Sequence, residues 1–450
     1  MLNFNSEETR SSITKFEQML KTNLLYFFDA QEFEDIVVHY LGFGESQLAK
    51  KALKMGLEQH PDSNELLLLQ SEIFILDGKF DSALKLLNYI EKLNPFDEEI
   101  SLQKANIASK NGDHKSSIKF LNRALELSDD PFEIWNLLGM EHLLAEEFDK
   151  ASYFFKNCIK DNPLDYSALH NLLYSYDHLN KNKESILILN EILEIIPYSE
   201  VAWHQLGLVL LKNGNQKEAL SAFDFAIISD DKFTGAYIEK GKLLETMGRV
   251  NEAIHNYEIA LKTNDPSAFV FQSIGRCHEI LGNNTLAIKH YIKAIHLEPS
   301  NENSWVRLIE YYIVQGQYKK AKYYFKGALE INSESITLWK KGIIIYNFLN
   351  QQRKELNAYQ KLYDLGVIEL PILLKHIDLL LQLKHWRKAY KITNEVYKSF
   401  PENKSLMHRL GGCSMELGKI SEARYFLNVD QLSREELLEL SKLFPSFDQF

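Results

Sequence analysis

The stretch EIWNLLGMEHLLAEEFDKASYFFKNCIKDNP, residues 133–163, decides the fold, because its small and large apolar residues return along the chain at a fixed distance. With residue 132 as position 1 of a 34-residue unit, no insertion breaks the count from residue 30 to residue 437. Position 20 is small in eleven of twelve units, and position 24 is mostly large and apolar. Such regular repetition indicates a repeat architecture.

Each recurring residue type has a steric reason. Apolar residues follow helical spacing over two segments of about a dozen residues in every unit. Glycine at position 15 predicts a left-handed turn between the two helices. Small residues at positions 8 and 20 let the helices approach, a large residue at position 24 fills the space beside them, and proline at position 32 stops the second helix. One such hairpin cannot bury its own apolar face, so the units are expected to stack as a solenoid.

The run W-x2-L-G at Trp135 and Trp203, followed by alanine, an aromatic residue and proline, resembles the tetratricopeptide repeat family. The resemblance covers nearly the whole chain. It implies an all-α fold, a right-handed α-solenoid of about twelve 34-residue helix-turn-helix repeats with N- and C-terminal capping helices. The motif residues of this family serve packing, so the resemblance is specific for fold and says little about function.

The predicted organisation has three parts. An N-terminal capping helix occupies residues 1–29, the repeats occupy 30–437, and 438–450 form the end of the C-terminal cap and the tail. The repeats start at residues 30, 64, 98, 132, 166, 200, 234, 268, 302, 336, 370 and 404.

Both ends carry cap signals. The N-terminal cap is expected to bury a helical stripe of Ile13, Phe16, Leu20, Leu24 and Phe27. A capping box is expected at Ser433 and Glu436. The tail holds Phe447 and Phe450, which fit a loosely packed terminus or a docking peptide.

The repeat that begins at 336 departs from the pattern. Trp339 and Gly342 are three residues apart instead of four, and Glu355 occupies the small position 20. A glutamate there is expected to tilt the two helices apart, which predicts a bend or seam. Sequence drift and a functional hinge both fit.

Composition narrows the class of protein. The formal net charge is −11, and no run of about 18 apolar residues could span a membrane. The first residues lack the basic and apolar regions of a signal peptide. Cys158, Cys277 and Cys413 are far apart and form no CxxC pair, which argues against a disulfide framework or a zinc site. These features predict a cytoplasmic protein without membrane insertion.

Catalytic motifs are absent from the sequence. It contains no GxxxxGK[ST] loop, HExxH pair or GxSxG elbow. We therefore expect no enzymatic activity, no cofactor and no metal. Function is expected to depend on a binding surface.

In the family, positions 2, 5, 6 and 9 of the first helix line a concave groove that binds the ligand. The carboxylate clamp known there needs basic anchors that this chain lacks, and only Asn171 fits it. The acidic groove candidates are Glu34, Asp35, Glu65, Glu72, Glu99 and Glu133. The basic candidates are Arg276, Arg307, Lys340, Lys375 and Arg409.

These charges follow a gradient along the chain. Residues 1–200 hold 19 Lys+Arg and 34 Asp+Glu, whereas residues 301–400 hold 16 and 9. Either the charges are ordinary solvated helix faces, or they form a bipolar groove that orients an extended partner. We therefore predict a non-catalytic protein–protein interaction scaffold or adaptor that binds a peptide or helix, with an acidic partner segment at the basic end.

The alternative is RNA binding through the basic C-terminal third, with tyrosine and tryptophan rings stacking on bases. The net negative charge of the chain argues against nucleic acid. The sequence does not identify the partner or the oligomeric state.

Overall fold

The computed structural model describes residues 7–22, 25–263, 267–427 and 434–447, which contain helices and no strand. The all-α class predicted from the sequence is confirmed. The chain divides into two compact units, unit 1 (Met1–Ser229) and unit 2 (Asp230–Phe450). In each unit, successive helices pack against each other in chain order, which is the stacking of an α-solenoid.

Unit 1 contains a leading helix and six helical hairpins. Its helices are α1 (Glu7–Thr22), α2 (Ala30–Gly42), α3 (Ser46–Gln59), α4 (Asn64–Leu76), α5 (Phe80–Leu93), α6 (Glu98–Lys110), α7 (His114–Leu127), α8 (Phe132–Leu144), α9 (Phe148–Asp161), α10 (Tyr166–His178), α11 (Asn182–Ile195), α12 (Glu200–Lys212) and α13 (Gln216–Ser229).

Unit 2 continues the series of hairpins. Its helices are α14 (Thr234–Thr246), α15 (Val250–Thr263), α16 (Ala268–Ile280), α17 (Asn284–Leu297), α18 (Glu302–Val314), α19 (Tyr318–Ile331), α20 (Ile336–Phe348), α21 (Gln352–Asp364), α22 (Leu370–Gln382), α23 (Trp386–Ser399), α24 (Lys404–Glu416), α25 (Ile420–Phe426) and α26 (Arg434–Leu443). From α2 to α24, the first helices of the hairpins begin every 34 residues.

Short polar side chains mark where many first helices begin. Ser63, Asp97, Asp165, Ser199 and Asn403 each accept a hydrogen bond from a backbone N–H in the first turn of the following helix. These bonds satisfy donors that a helix N-terminus leaves unpaired. The first helices of neighbouring hairpins also touch, as α2 does α4 and α4 does α6, so they share one face. We call it the first-helix face.

The turn inside each hairpin uses one backbone conformation whatever the residue. The glycines at position 15 have φ between +67° and +83°. The same position also holds Glu146, Asn180, Asn350 and Lys384, and these four residues have φ between +52° and +59°. The left-handed turn predicted from glycine is therefore confirmed, and it is imposed on non-glycine residues at a conformational cost.

Positions 8 and 24 are matched in size. In four hairpins with glycine at position 8, a ring at position 24 lies against that glycine, in the pairs Gly139–Phe155, Gly207–Phe223, Gly241–Tyr257 and Gly275–Tyr291. In the unit that begins at 404, Gly411 lies against Leu427 instead. Where position 8 is larger, position 24 is leucine in the pairs Val37–Leu53, Ser71–Leu87, Ala105–Leu121 and Leu173–Leu189. In all of these pairs except Gly411–Leu427, a smaller residue at position 8 accompanies a larger one at position 24, and we call this matching the size rule.

This size rule explains the displaced glycine of the hairpin formed by α20 and α21. In the preceding hairpin, Ile309 occupies position 8, and the ring of Phe325 instead lies against Gly342 of the next hairpin. A Cβ atom on Gly342 would lie 2.6 Å from Phe325 Cζ. Glu355 is 6% exposed, and α20 and α21 still pack against each other. Glu355 thus lies between packed helices, and the tilt, the bend or seam and the functional hinge expected at this hairpin stay predictions.

The predicted N-terminal stripe is only partly correct. Phe16 is fully buried, but α1 ends at Thr22 and Phe27 is 71% exposed. Phe28 is buried instead, because the chain beyond residue 24 is not helical and neighbouring side chains point to different sides. Leu24 lies outside the described residues.

At the other end, Leu440 of α26 and Phe444 directly after it lie in the same core as Leu406 and Cys413. Phe447 also packs partly against this core. The predicted capping box of Ser433 and Glu436 lies outside the residues whose side chains are described, as does Phe450. The division into caps, repeats and tail stays a prediction.

Candidate functional site

Three of the predicted acidic residues surround one depression on the first-helix face of unit 1. Glu72 on α4, Glu99 on α6 and Glu133 on α8 line a cavity of about 360 Å³. Buried Glu141 on α8 also lines it and accepts a hydrogen bond from His114 Nδ1 at 2.9 Å when that nitrogen carries the proton. Consecutive hairpins thus place carboxylates side by side.

The depression is electrostatically unfavourable for its own carboxylates. Solvent reaches the side chains of Glu72 and Glu99, yet the surrounding walls displace much of their water, and this burial raises the pKa of both. The charges of Glu72, Asp97 and Glu133 raise the pKa of Glu99 further, whereas a hydrogen bond from Gln103 lowers it. Neither Glu72 nor Glu133 pairs with a cation among the described residues.

The remaining predicted residues of unit 1 lie outside this depression. Burial raises the pKa of Glu34 on α2, and the charges of Glu65 and Asp35 add to that effect. Asn171 on α10 donates a hydrogen bond to Met140 Sδ at 3.4 Å. The structure therefore groups three acidic candidates in the depression and three others near α2.

In unit 2, most of the predicted basic residues pair with carboxylates of the chain itself. Arg276 Nε and Nη2 lie 2.5 and 2.7 Å from the two carboxylate oxygens of Glu245. Arg409, which is 8% exposed, makes the same two-pronged contact with Asp378 at 2.6 and 3.1 Å. Such fork-like contacts satisfy the charge and the geometry of the guanidinium.

The other cations make a single contact with a carboxylate or none. Lys340 Nζ lies 2.6 Å from Glu369, and Arg307 Nη1 lies 3.7 Å from Glu310. Lys375, on α22, forms no ion pair within the part of unit 2 that the structure describes. Four of the five basic candidates thus have a counter-charge within the chain, and the acidic partner segment stays a prediction.

These counter-charges have a sequence signal in their spacing from the cations. Glu245 and Arg276 are 31 residues apart, as are Asp378 and Arg409. Lys341 also pairs with a carboxylate 31 residues before it, Glu310, at 2.7 Å. A distance of 31 is one repeat less one helical turn, so an acid and a base at this spacing face each other on neighbouring first helices.

The described residues offer little for chemistry. They contain no group of three or more His, Cys, Asp or Glu side chains placed to hold a metal. Cys158, Cys277 and Cys413 are buried and free, and burial raises the pKa of each thiol to about 12. A thiol with so high a pKa is a poor nucleophile near neutral pH.

The fold and the site define a helical-repeat protein with charged side chains on its first-helix face. Two family models, both described as tetratricopeptide repeat, match residues 35–98 and residues 99–131 and 270–301. These segments are tetratricopeptide repeats, and the family resemblance stated from the sequence is confirmed.

Among similar proteins is anaphase-promoting complex subunit 3 of Schizosaccharomyces pombe, which is 30% identical over 152 residues, 34% of this chain and 23% of that protein. BBSome complex member BBS4 of Bos taurus is 25% identical over 205 residues, 45% of this chain and 39% of that protein. The chain thus spans well under half the length of these relatives. Both relatives are described as members of protein complexes.

The crystal structure of the APC/C hetero-tetramer Cut9-Hcn1 aligns with 90% of this chain and 93% of that chain, at 14% identity and a TM-score of 0.36.

Over the described residues, no helix is both long and apolar enough to cross a membrane.

Proposed function

We propose that the protein is a non-catalytic interaction scaffold that binds a peptide or helix of a partner on the first-helix face. In this proposal, the depression lined by Glu72, Glu99 and Glu133 takes basic side chains of that partner segment. The carrying observation is that three carboxylates from consecutive hairpins converge on one cavity, in which no described cation pairs with Glu72 or Glu133. The relatives, as members of protein complexes, support a role in protein interaction.

The electrostatics favour a cationic ligand at this site. The charges of Glu72 and Glu133 raise the pKa of Glu99, so a positive charge that arrives beside Glu99 is favourable. A lysine or arginine side chain supplies that charge, and its methylene stem can pack on Leu102 and Leu137, which also line the cavity. Exposed ion pairs contribute about 0.2–1 kcal/mol each, so three pairs change affinity roughly tenfold.

Binding of labelled peptides, followed by fluorescence anisotropy, tests the proposal. A lysine-rich helical peptide should bind the wild-type protein, and Glu72→Gln/Glu99→Gln/Glu133→Gln should weaken it about tenfold. The matched control, Glu126→Gln/Asp161→Asn/Glu194→Gln, removes three exposed charges from second helices of the same unit. If the control variant weakens binding as much as the first variant, attraction by overall charge explains the result and the site proposal fails.

Two further expectations from the sequence enter the same assay. A glutamate-rich peptide tests the acidic partner segment, and labelled oligouridylate tests the RNA-binding alternative. Pairing of Arg276, Lys340 and Arg409 with carboxylates reduces what these residues can offer to either ligand. A cytoplasmic location is part of the proposal and is checked by fluorescence microscopy of the tagged protein.

A further inference from the structure

A second cavity lies in unit 2, at the hairpin that breaks the repeat pattern. It measures about 420 Å³ and is bounded by α20, α21 and α22. Its volume falls within the range of pockets that hold small ligands. The side chains used below are Glu355, Tyr359, Lys375, Asp378 and Phe348, all of which line it.

Glu355 gives this cavity a buried carboxylate at a position where the other hairpins have a small residue. In the other hairpins its position holds a small residue, such as the fully buried Ala321 and Ala389. The Glu355 side chain is 6% exposed and accepts one hydrogen bond, from Asn347 Nδ2 at 3.1 Å. A carboxylate can accept several hydrogen bonds, and burying it with only one of them is unfavourable. Burial accordingly raises the pKa of Glu355.

A second carboxylate, that of Asp378, lines the same cavity as Glu355 and Tyr359. Burial raises the pKa of Tyr359 to about 12, and the charges of Glu355 and Asp378 add to this rise. Asp378 is held by Arg409 from α24. Lys375 is the cation that lines the cavity; its charge lowers the pKa of Glu355, but it forms no ion pair with a described residue.

The cavity also has an aromatic wall. Phe348 is 59% exposed and stacks on Tyr318, with ring centroids 4.4 Å apart and planes 7° apart. The stacking fixes the ring while leaving surface for a ligand. Aromatic faces attract guanidinium and ammonium groups, and arginine stacks on them best.

We propose that this cavity binds a guanidinium or ammonium group on an arginine or lysine side chain of a partner protein. The N–H groups of the side chain donate to Glu355 and Asp378, and its stem packs against Phe348. Lys375 is the intramolecular cation that competes for Glu355. This site goes beyond the proposed function, because it lies in unit 2 and uses its own carboxylates.

Saturation-transfer NMR with N-acetyl-arginine amide tests the site. The experiment uses the full chain carrying Glu72→Gln/Glu99→Gln/Glu133→Gln, so that the depression of unit 1 does not contribute. N-acetyl-citrulline amide is the matched ligand, because it has nearly the same shape without the charge. Saturable signal is expected for the arginine compound and none for the citrulline compound.

Two substitutions have opposite expected effects. Glu355→Ala installs the residue of the neighbouring hairpins, so folding is expected to persist, and binding should fall at least about tenfold because a charged hydrogen bond is lost. Lys375→Gln removes the competing cation and should strengthen binding. Circular dichroism checks that both variants keep their helices.

Three results would overturn the proposal. They are equal binding of the arginine and citrulline compounds, unchanged binding in Glu355→Ala, and weaker binding in Lys375→Gln. If N-acetyl-glutamate amide bound instead and lost its signal in Lys375→Gln, the cavity would be a site for acidic side chains.

Discussion

The contact between Gly139 and Phe155 makes the size rule of the hairpins testable. Phe155 is fully buried, and a Cβ atom on Gly139 would lie 2.7–2.9 Å from three carbon atoms of its ring. Carbon atoms pack best at about 3.5–4.0 Å, so the ring or the helix must move by most of an ångström. Overpacking of this kind destabilises the folded protein by about 1–3 kcal/mol, and the better helix propensity of alanine offsets about 0.5–1 kcal/mol of this. Gly139→Ala should therefore destabilise the protein by roughly 1–2 kcal/mol.

The second substitution, Phe155→Leu, should rescue the first. Alone it should also destabilise, by about 1–2 kcal/mol, because it leaves a cavity. The double variant reproduces the pair Ala105–Leu121 of the preceding hairpin, in which both side chains are buried. We expect it to be more stable than the sum of the single effects by about 1 kcal/mol or more.

Urea unfolding followed by circular dichroism measures the global effects, and hydrogen exchange read by mass spectrometry on α8 and α9 measures the local ones. The local reading matters because each repeat contacts only its neighbours, so damage can stay within one hairpin. Additive effects of the two substitutions would refute the size rule. So would stabilisation by Gly139→Ala, since it would mean that the ring does not lie against that glycine.

Other predictions rest on buried or strained groups. No described residue hydrogen-bonds to either ring nitrogen of buried His376, and burial lowers its pKa to about 4. Between pH 6.5 and 4 the histidine is protonated in the unfolded chain but neutral in the folded chain, so the free energy of unfolding should fall by up to about 3 kcal/mol as the pH is lowered. His376→Leu should remove that loss, and urea titrations at several pH values measure it. Glu146→Gly should raise the urea midpoint by relieving a positive φ, and more than Asn180→Gly does, since asparagine tolerates this conformation. Binding of the lysine-rich peptide should weaken on acidification sooner than ordinary glutamates would predict, because the pKa of Glu72 is raised; anisotropy at pH 5 and 7.5 measures this.

The fold could be predicted from the sequence because its determinants are local and repeated. A turn at position 15, a small residue at position 20 and a large one at position 24 act within one hairpin. Because the pattern recurs in twelve units, it predicts the fold even where single residues depart from it, as Lys384 does in the turn. Lys384 still adopts a positive φ, because the packed helices on both sides of the turn determine its backbone conformation.

The charges of the candidate site were harder to predict, because they depend on pairs in different repeats. Arg276 occupies a predicted groove position, but its partner Glu245 occupies none of those positions. The groove positions therefore predict the cation Arg276 but not the carboxylate that pairs with it. The acidic depression could be predicted, because Glu72, Glu99 and Glu133 all occupy groove positions and no described cation pairs with Glu72 or Glu133.

Gly342 and Glu355 show how one exception in the pattern leads to another. The isoleucine at position 8 of the preceding hairpin leaves no room for the ring of Phe325, so that ring lies against Gly342 in the next hairpin. The glycine is therefore needed at position 7 of the next hairpin, and position 8 there is the larger Ile343, which lines the second cavity together with Glu355. Residues that every hairpin shares cannot distinguish one ligand from another. Recognition of one ligand over another must use positions where the hairpins differ, and Glu355 occupies such a position, because the other eleven residues at position 20 are small.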